Sequence, residues 1–170
     1  MEDTQDKKED QKESKKEKKN LKEEYQKLKI TYTLPEYESL EIEFRIEDID
    51  PDENIIRDIL EEIHSRIDSY ARVLENLIQP DSKLCDMREA GTLTKDDQKS
   101  IIEMYRKCML MNRKLLLVDF DYTPKDAANA ITETYTNWQE LKKELRPILI
   151  KLKNTWLNQE KEEEYGGYYG

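Results

Sequence analysis

The residues able to do chemistry in this 170-residue chain are few: one histidine, His64, two cysteines, Cys85 and Cys108, and carboxylates at several spacings. His64, Ser65 and Asp68 supply the residue types of a hydrolytic triad, in which an imidazole takes a hydroxyl proton and a carboxylate orients the imidazole. Successive helical residues point about 100° apart, so Ser65 cannot lie under the imidazole of its own helix. The expected arrangement is an exposed pair of His64 with Asp68 one turn on. The cysteines form no CxxC, and one histidine cannot complete a standard zinc set, so reduced thiols are expected. Cys108 falls in a seam between Met104 and Met111 and should be packed, whereas Cys85 falls in a connecting loop and is the more reactive of the two. Glu47, Asp48, Asp50, Asp52 and Glu53 crowd together, but a calcium loop starting at Asp48 would need glycine at its sixth place and glutamate at its twelfth. Those places hold Glu53 and Ile59, and Pro51 intrudes, so helix capping is the expected role. Neither a metal site nor a cofactor is expected.

Leu115 to Val118 form an apolar run that leads into Asp119-Phe120-Asp121-Tyr122-Thr123. This Asp-x-Asp-x-Thr segment resembles the first motif of haloacid-dehalogenase-like phosphatases. The resemblance implies Asp119 as the nucleophile on phosphorus, Asp121 as acid/base, and magnesium held by both. It covers nine residues, and it implies a parallel sheet and further motifs downstream, where only 47 residues follow Thr123 and read as one helix. Read from the residues alone, Leu115 to Val118 close a helix, Asp119 and Asp121 lie in a turn, and Thr123 caps the next helix.

Composition narrows the chemistry further. Of four glycines, only Gly91 lies outside the last five residues, so no glycine-rich phosphate loop, dinucleotide fingerprint or nucleophile elbow can be built. Charged residues make up 40% of the chain, and the net charge of -10 is unevenly placed. Residues 31 to 90 carry a net -11, residues 98 to 160 a net +3, and the first twenty residues sum to zero. Lys99, Arg106 and Arg113 recur every seven residues, as do Lys107 and Lys114, and Lys142, Lys143, Arg146, Lys151 and Lys153 follow. These stripes are the expected binding surface for an acidic partner, with Tyr105, Trp138 and Trp156 as stacking support if that partner is a single-stranded nucleic acid.

The elements that must position these residues have a local logic. Residues 1–20 form a polyampholyte whose only apolar residue is Met1, expected to be a disordered tail or a solvated helix running toward Leu21, Tyr25 and Leu28. Residues 161–170 are expected to be a flexible acidic Tyr/Gly tail. Ile30, Tyr32 and Leu34, then Leu40, Ile42, Phe44 and Ile46, alternate with polar residues and predict a β-hairpin turning at Pro35 to Ser39. Asp50-Pro51-Asp52-Glu53, Thr94-Lys95-Asp96-Asp97 and Thr123-Pro124-Lys125-Asp126 are helix starts, each placing an oxygen side chain before a carboxylate three residues on.

Each start leads into an apolar repeat of helical spacing. The first holds Ile56, Leu60, Ile63, Ile67, Tyr70, Leu74 and Leu77 and ends near Pro80. The second holds Ile101, Met104, Cys108, Met111, Leu115 and Val118, broadened by Ile102, Tyr105, Met109 and Leu116 into what should be the central helix. The third holds Ile131, Thr134, Trp138, Leu141, Leu145, Ile148 and Leu152, with a kink expected at Pro147. The expected fold is mainly α (α+β): a hairpin packed on an antiparallel bundle of three long helices within a single domain over 21–160. No apolar run approaches the length of a membrane span, so a soluble cytoplasmic protein is expected. The leading functional expectation is a non-catalytic protein-protein interaction or assembly protein acting through helical seams, the strand edge of the hairpin and segregated charge, self-association included. The second is an accessory protein for single-stranded nucleic acid, and phosphatase chemistry at Asp119 and Asp121 is a third.

Overall fold

The computed structural model describes residues 21–50 and 54–157, and these are about 86% helical, with six helices and no strand among them. The expected β-hairpin is therefore replaced by two helices: α1, described over 21–32, and α2, Tyr37–Phe44. The alternation was real but ambiguous, because positions four apart satisfy both a period of two and a helical stripe. Leu40 and Phe44 are such a pair and both are buried, and Tyr37 extends the stripe at helical spacing. Ile42, which a hairpin would place on the same apolar face, is 79% exposed, and Ile30 is 84% exposed.

The helix ends explain why this pair escapes a reading from composition. Thr33 and Arg45 close α1 and α2 in the left-handed region, with φ of 58° and 59°, a conformation usually given to glycine. Their amides donate to Lys29 O at 2.8 Å and Glu41 O at 2.9 Å, so the last carbonyls of each helix find partners without it. Pro35, two residues beyond Thr33, then forbids continuation, and the segment expected to be the turn of a hairpin connects α1 to α2. Across that connection the Tyr25 and Tyr37 rings meet edge to face at 5.4 Å. The Tyr25 hydroxyl donates to Pro35 O at 2.8 Å, and Lys22–Glu38 and Lys29–Glu36 ion pairs flank the rings.

Beyond a short 3-10 turn, Ile46–Asp48, come α3 (Ile55–Ile78), α4 (Leu84–Gly91), α5 (Lys95–Phe120) and α6 (Pro124–Leu157). Two expected starts are capped, the first reciprocally. Asp97 N–H donates to Thr94 Oγ1 at 3.2 Å while Asp97 Oδ2 accepts from Thr94 N–H at 2.7 Å, and Asp126 N–H donates to Thr123 Oγ1 at 3.1 Å. The third, at Asp50, falls partly on residues 51–53, outside the described residues. The tails expected at 1–20 and 161–170 also lie outside them. Gly91 ends α4 where a loop was expected between the first two long helices, and no residue of α4 is buried.

The chain divides into two compact units, Met1–Arg66 with Asn112–Thr136 and Ile67–Met111 with Asn137–Gly170. The described part of the first holds α1, α2 and the adjoining parts of α3, α5 and α6, with Leu21, Tyr25, Leu40, Phe44, Ile59, Leu60, Ile63, Leu115 and Ile131 in its core. The second buries Ile67, Leu74, Ile101, Met104, Cys108, Trp138, Leu141 and Leu145, and the Tyr70 ring lies 4.9 Å from that of Trp138. There α5 and α6 run antiparallel, since Lys107 pairs with Glu144 and the earlier Asp97 with the later Lys151. The apolar girth expected of α5 is narrower than its composition implies: Ile102 and Leu116 are 48% and 49% exposed. α6 is unbroken through Pro147, whose exposed position leaves the unmatched Lys143 carbonyl on the solvent side.

Candidate functional site

The side of α5 turned away from its buried seam is the most distinctive surface. At about 100° per residue, Lys99, Ile102, Arg106 and Leu110 fall opposite Ile101, Met104, Cys108 and Met111, and all four are exposed in the second unit. Leu110 is 63% exposed, more than its neighbour Ile102. In the first unit the same helix turns Arg113, Leu117 and Phe120 outward. Cations thus alternate with large apolar side chains where a solvated helix face would carry mixed polar residues.

The structure sorts the expected basic residues into two groups. Lys107 Nζ donates to both carboxylate oxygens of Glu144, at 2.6 and 2.7 Å, and Lys114 pairs with Glu133. These two stripe positions flank the seam and tie α5 to α6. Lys142 is half-buried and also engaged, and Lys99 lies 3.5 Å from Asp96. Arg106, Arg113, Lys143, Arg146 and Lys153 are exposed, with no ion-pair partner among the described residues. The aromatic support expected beside them is already engaged. Trp138 is buried, Tyr105 is half-buried, and the Trp156 indole N–H donates to Glu89 at 2.7 Å under the Arg88 guanidinium.

Asp119 lies in the last turn of α5, not in the turn beyond it, and accepts from Arg57 Nε at 2.8 Å, an interaction that holds the guanidinium firmly protonated. The Arg57 guanidinium also lies over the Tyr122 ring at 5.4 Å. Asp121 is exposed in the turn, and the Thr123 hydroxyl caps α6 and donates to Asp126 at 2.7 Å. The motif residues are therefore held as helix end, turn and cap, and the described residues lack the parallel sheet that the phosphatase resemblance implies. Neither those residues nor the Glu47, Asp48 and Asp50 carboxylates join a metal-ligand cluster among the described residues.

Of the remaining chemical residues, Asp68 accepts from Arg72 at 2.8 Å, so the expected His64–Asp68 pair is not formed. Burial pushes the Cys108 thiol up to about 11. Cys85, exposed on α4 and not in a loop, has its Sγ 3.3 Å from Asp86 Oδ1. His64 instead helps line a cleft of about 220 Å³ in the first unit, with Leu60 and Glu61 of α3 and Leu115, Leu116 and Asp119 of α5. That His64 and Asp119 line one cleft is the feature that sequence reasoning missed, because the two stand 55 residues apart and no local spacing joins them.

Compared with known proteins, the chain matches no protein family, no curated protein and no solved structure. No helix among the described residues is long and apolar enough to cross a membrane.

Proposed function

We propose that the protein is a non-catalytic assembly protein whose copies join through the outward face of α5, seated on an acidic surface of another copy. The observation that carries this reading is the run Lys99, Ile102, Arg106, Leu110, exposed opposite the seam and holding an arginine with no ion-pair partner among the described residues. Its complement exists in the same chain. Residues 31 to 90 carry a net -11, and exposed Ile42 stands among glutamates on α2. Apolar side chains supply burial, and opposite charges set register and exclude wrong partners. A two-fold pair satisfies both copies at once, since each offers both surfaces.

Light scattering on the full chain tests the proposal. The expected mass exceeds the 20.4 kDa of one copy as concentration rises, falls back with salt, and stays at one copy after Arg106→Glu with Leu110→Ser. A strict monomer at every concentration and salt overturns it.

A second reading, single-stranded nucleic-acid binding, is favoured by the exposed Arg106, Lys143, Arg146 and Lys153. It is weakened by the engagement of Trp138 and Trp156 within the fold. Titration of labelled single-stranded DNA at two salt concentrations separates the readings, because phosphate contacts weaken steeply with salt. Absence of binding at low salt removes it.

A further inference from the structure

In the second unit, the side of α6 turned away from its buried seam is a second unpartnered face, and its make-up is regular. At about 100° per residue, Lys143, Arg146, Ile150, Lys153 and Leu157 fall together, opposite the buried Leu141, Leu145, Ile148 and Leu152. All five are exposed, Ile150 by 48% and Leu157 by 52%, and the three cations have no ion-pair partner among the described residues. Residues 137–157 hold only two carboxylates. Glu140 stands before the face begins, and Glu144 is engaged by Lys107 of α5. Three uncompensated positive charges are thus interleaved with apolar side chains.

Such a face fits an occupant that is acidic and also carries apolar or aromatic groups. The same face of a second copy is disfavoured, because cation would meet cation. The stretch that follows α6 in the chain has the required make-up. Residues 158–170 hold Glu160, Glu162, Glu163 and Glu164 against Lys161 alone, then Tyr165, Tyr168 and Tyr169. They begin where the face ends, since Leu157 closes α6 and stands on that face. Thr155 and Trp156 fix the point of departure against α4 and its C-cap, through Thr155 Oγ1 to Thr92 Oγ1 at 3.2 Å and the indole N–H to Glu89.

Reach is sufficient. Extended chain covers about 3.3 Å per residue and a helix about 1.5 Å, so these glutamates reach about 10 to 23 Å from Leu157, while Lys153 and Arg146 lie about 6 and 17 Å back along α6. A segment tethered this closely meets its site at an effective concentration in the millimolar range, so weak contacts suffice.

We infer that residues 158–170 dock back on the outward face of α6 in their own chain. The glutamates pair with Lys153, Arg146 and Lys143, and the tyrosines pack on Ile150 and against the cations beside it. The docked segment closes this face to other acidic partners. The contact is separate from the outward face of α5, and its test does not depend on assembly.

A spin label reads the contact in the full chain. With Cys85→Ser only the buried Cys108 remains, so a nitroxide placed at Gly166→Cys marks one position. Strong paramagnetic relaxation of the 143–150 amides is expected at low salt and should weaken at about 1 M, where charges are screened beyond about 3 Å. Glu162→Lys with Glu163→Lys and Glu164→Lys, or Lys143→Glu with Arg146→Glu and Lys153→Glu, should lower the docking constant about tenfold, as expected for three exposed ion pairs. Combining both sets restores the charge match and should restore the relaxation. Arg106→Glu with Leu110→Ser, which removes assembly through α5, should leave it unchanged. The inference is overturned by equal relaxation in the parent and either charge-reversed chain, or by relaxation passed between spin-labelled and isotope-labelled chains in a mixture. It is also overturned if single-stranded DNA shifts the 143–153 amides at the same concentration in the parent and in the chain with the reversed glutamates.

Discussion

Truncating Leu40 and Ile42 to alanine, one at a time, separates a helical α2 from a strand by opposite responses. Leu40 is fully buried, and Leu40→Ala deletes three carbon groups from the core. At about 0.8 kcal/mol per buried group the transfer loss is about 2.4 kcal/mol. The cavity left behind raises the total to about 3 to 4 kcal/mol. For a chain of this length each kcal/mol lowers the melting temperature by about 2 to 4 °C, so a fall of roughly 10 °C is expected. Ile42 is 79% exposed, so Ile42→Ala removes little burial and replaces a β-branched residue with the best helix former. Its effect should lie within about 0.5 kcal/mol of zero, on the stabilising side. Thermal and urea unfolding followed by far-ultraviolet circular dichroism measures both. Comparable losses for the two variants would refute the helical assignment, because only a strand puts positions 40 and 42 on one face.

Two further outcomes follow from charge and burial. Asp97 accepts from Lys151 and Thr94, which hold its carboxyl at about 2, below the ordinary 3.8. A folded-state value depressed in this way gives stability that is present above about pH 4 and lost as pH falls toward 2, so Asp97→Asn should be less stable than the parent at neutral pH and converge with it in acid. Unfolding midpoints across that range test the convergence, and a constant difference would remove the carboxylate from the explanation. Of the two thiols, Cys108 is buried and held up near 11 while Cys85 is exposed, so iodoacetamide should label one cysteine in the native protein and both in denaturant. Mass spectrometry of native protein showing label at Cys108 would contradict the packing of α5.

The proposed surface was legible in part. Recurrence at seven residues places Lys99, Arg106 and Arg113 on one side of a helix, and the structure keeps them there, exposed. The same recurrence marks Lys107 and Lys114, yet their ammonium groups are engaged by Glu144 and Glu133 of α6. Spacing reports which residues share a face; it does not report which face a neighbouring helix will occupy. The long-range partners of Asp119 and His64 escaped for the same reason. Each was read with its sequence neighbours, while its structural neighbours are Arg57 for the one and the opposing leucines of α5 for the other.

What the amino-acid sequence determined alone is the part governed by interactions three or four residues apart. The starts at Thr94 and Thr123 and the buried repeats of α3, α5 and α6 are of this kind, and a capping oxygen acts on an amide within its own turn. The state of residues 21–50 was decided in three dimensions. Leu40, Ile42 and Phe44 fit either period, and the choice fell to the Tyr25 and Tyr37 rings, the bond to Pro35 and two helix ends closed without glycine. The cleft depends likewise on Arg57 meeting Asp119 across 62 residues. Burial and pairing at such separations arise only when the helices pack, and no local preference encodes them.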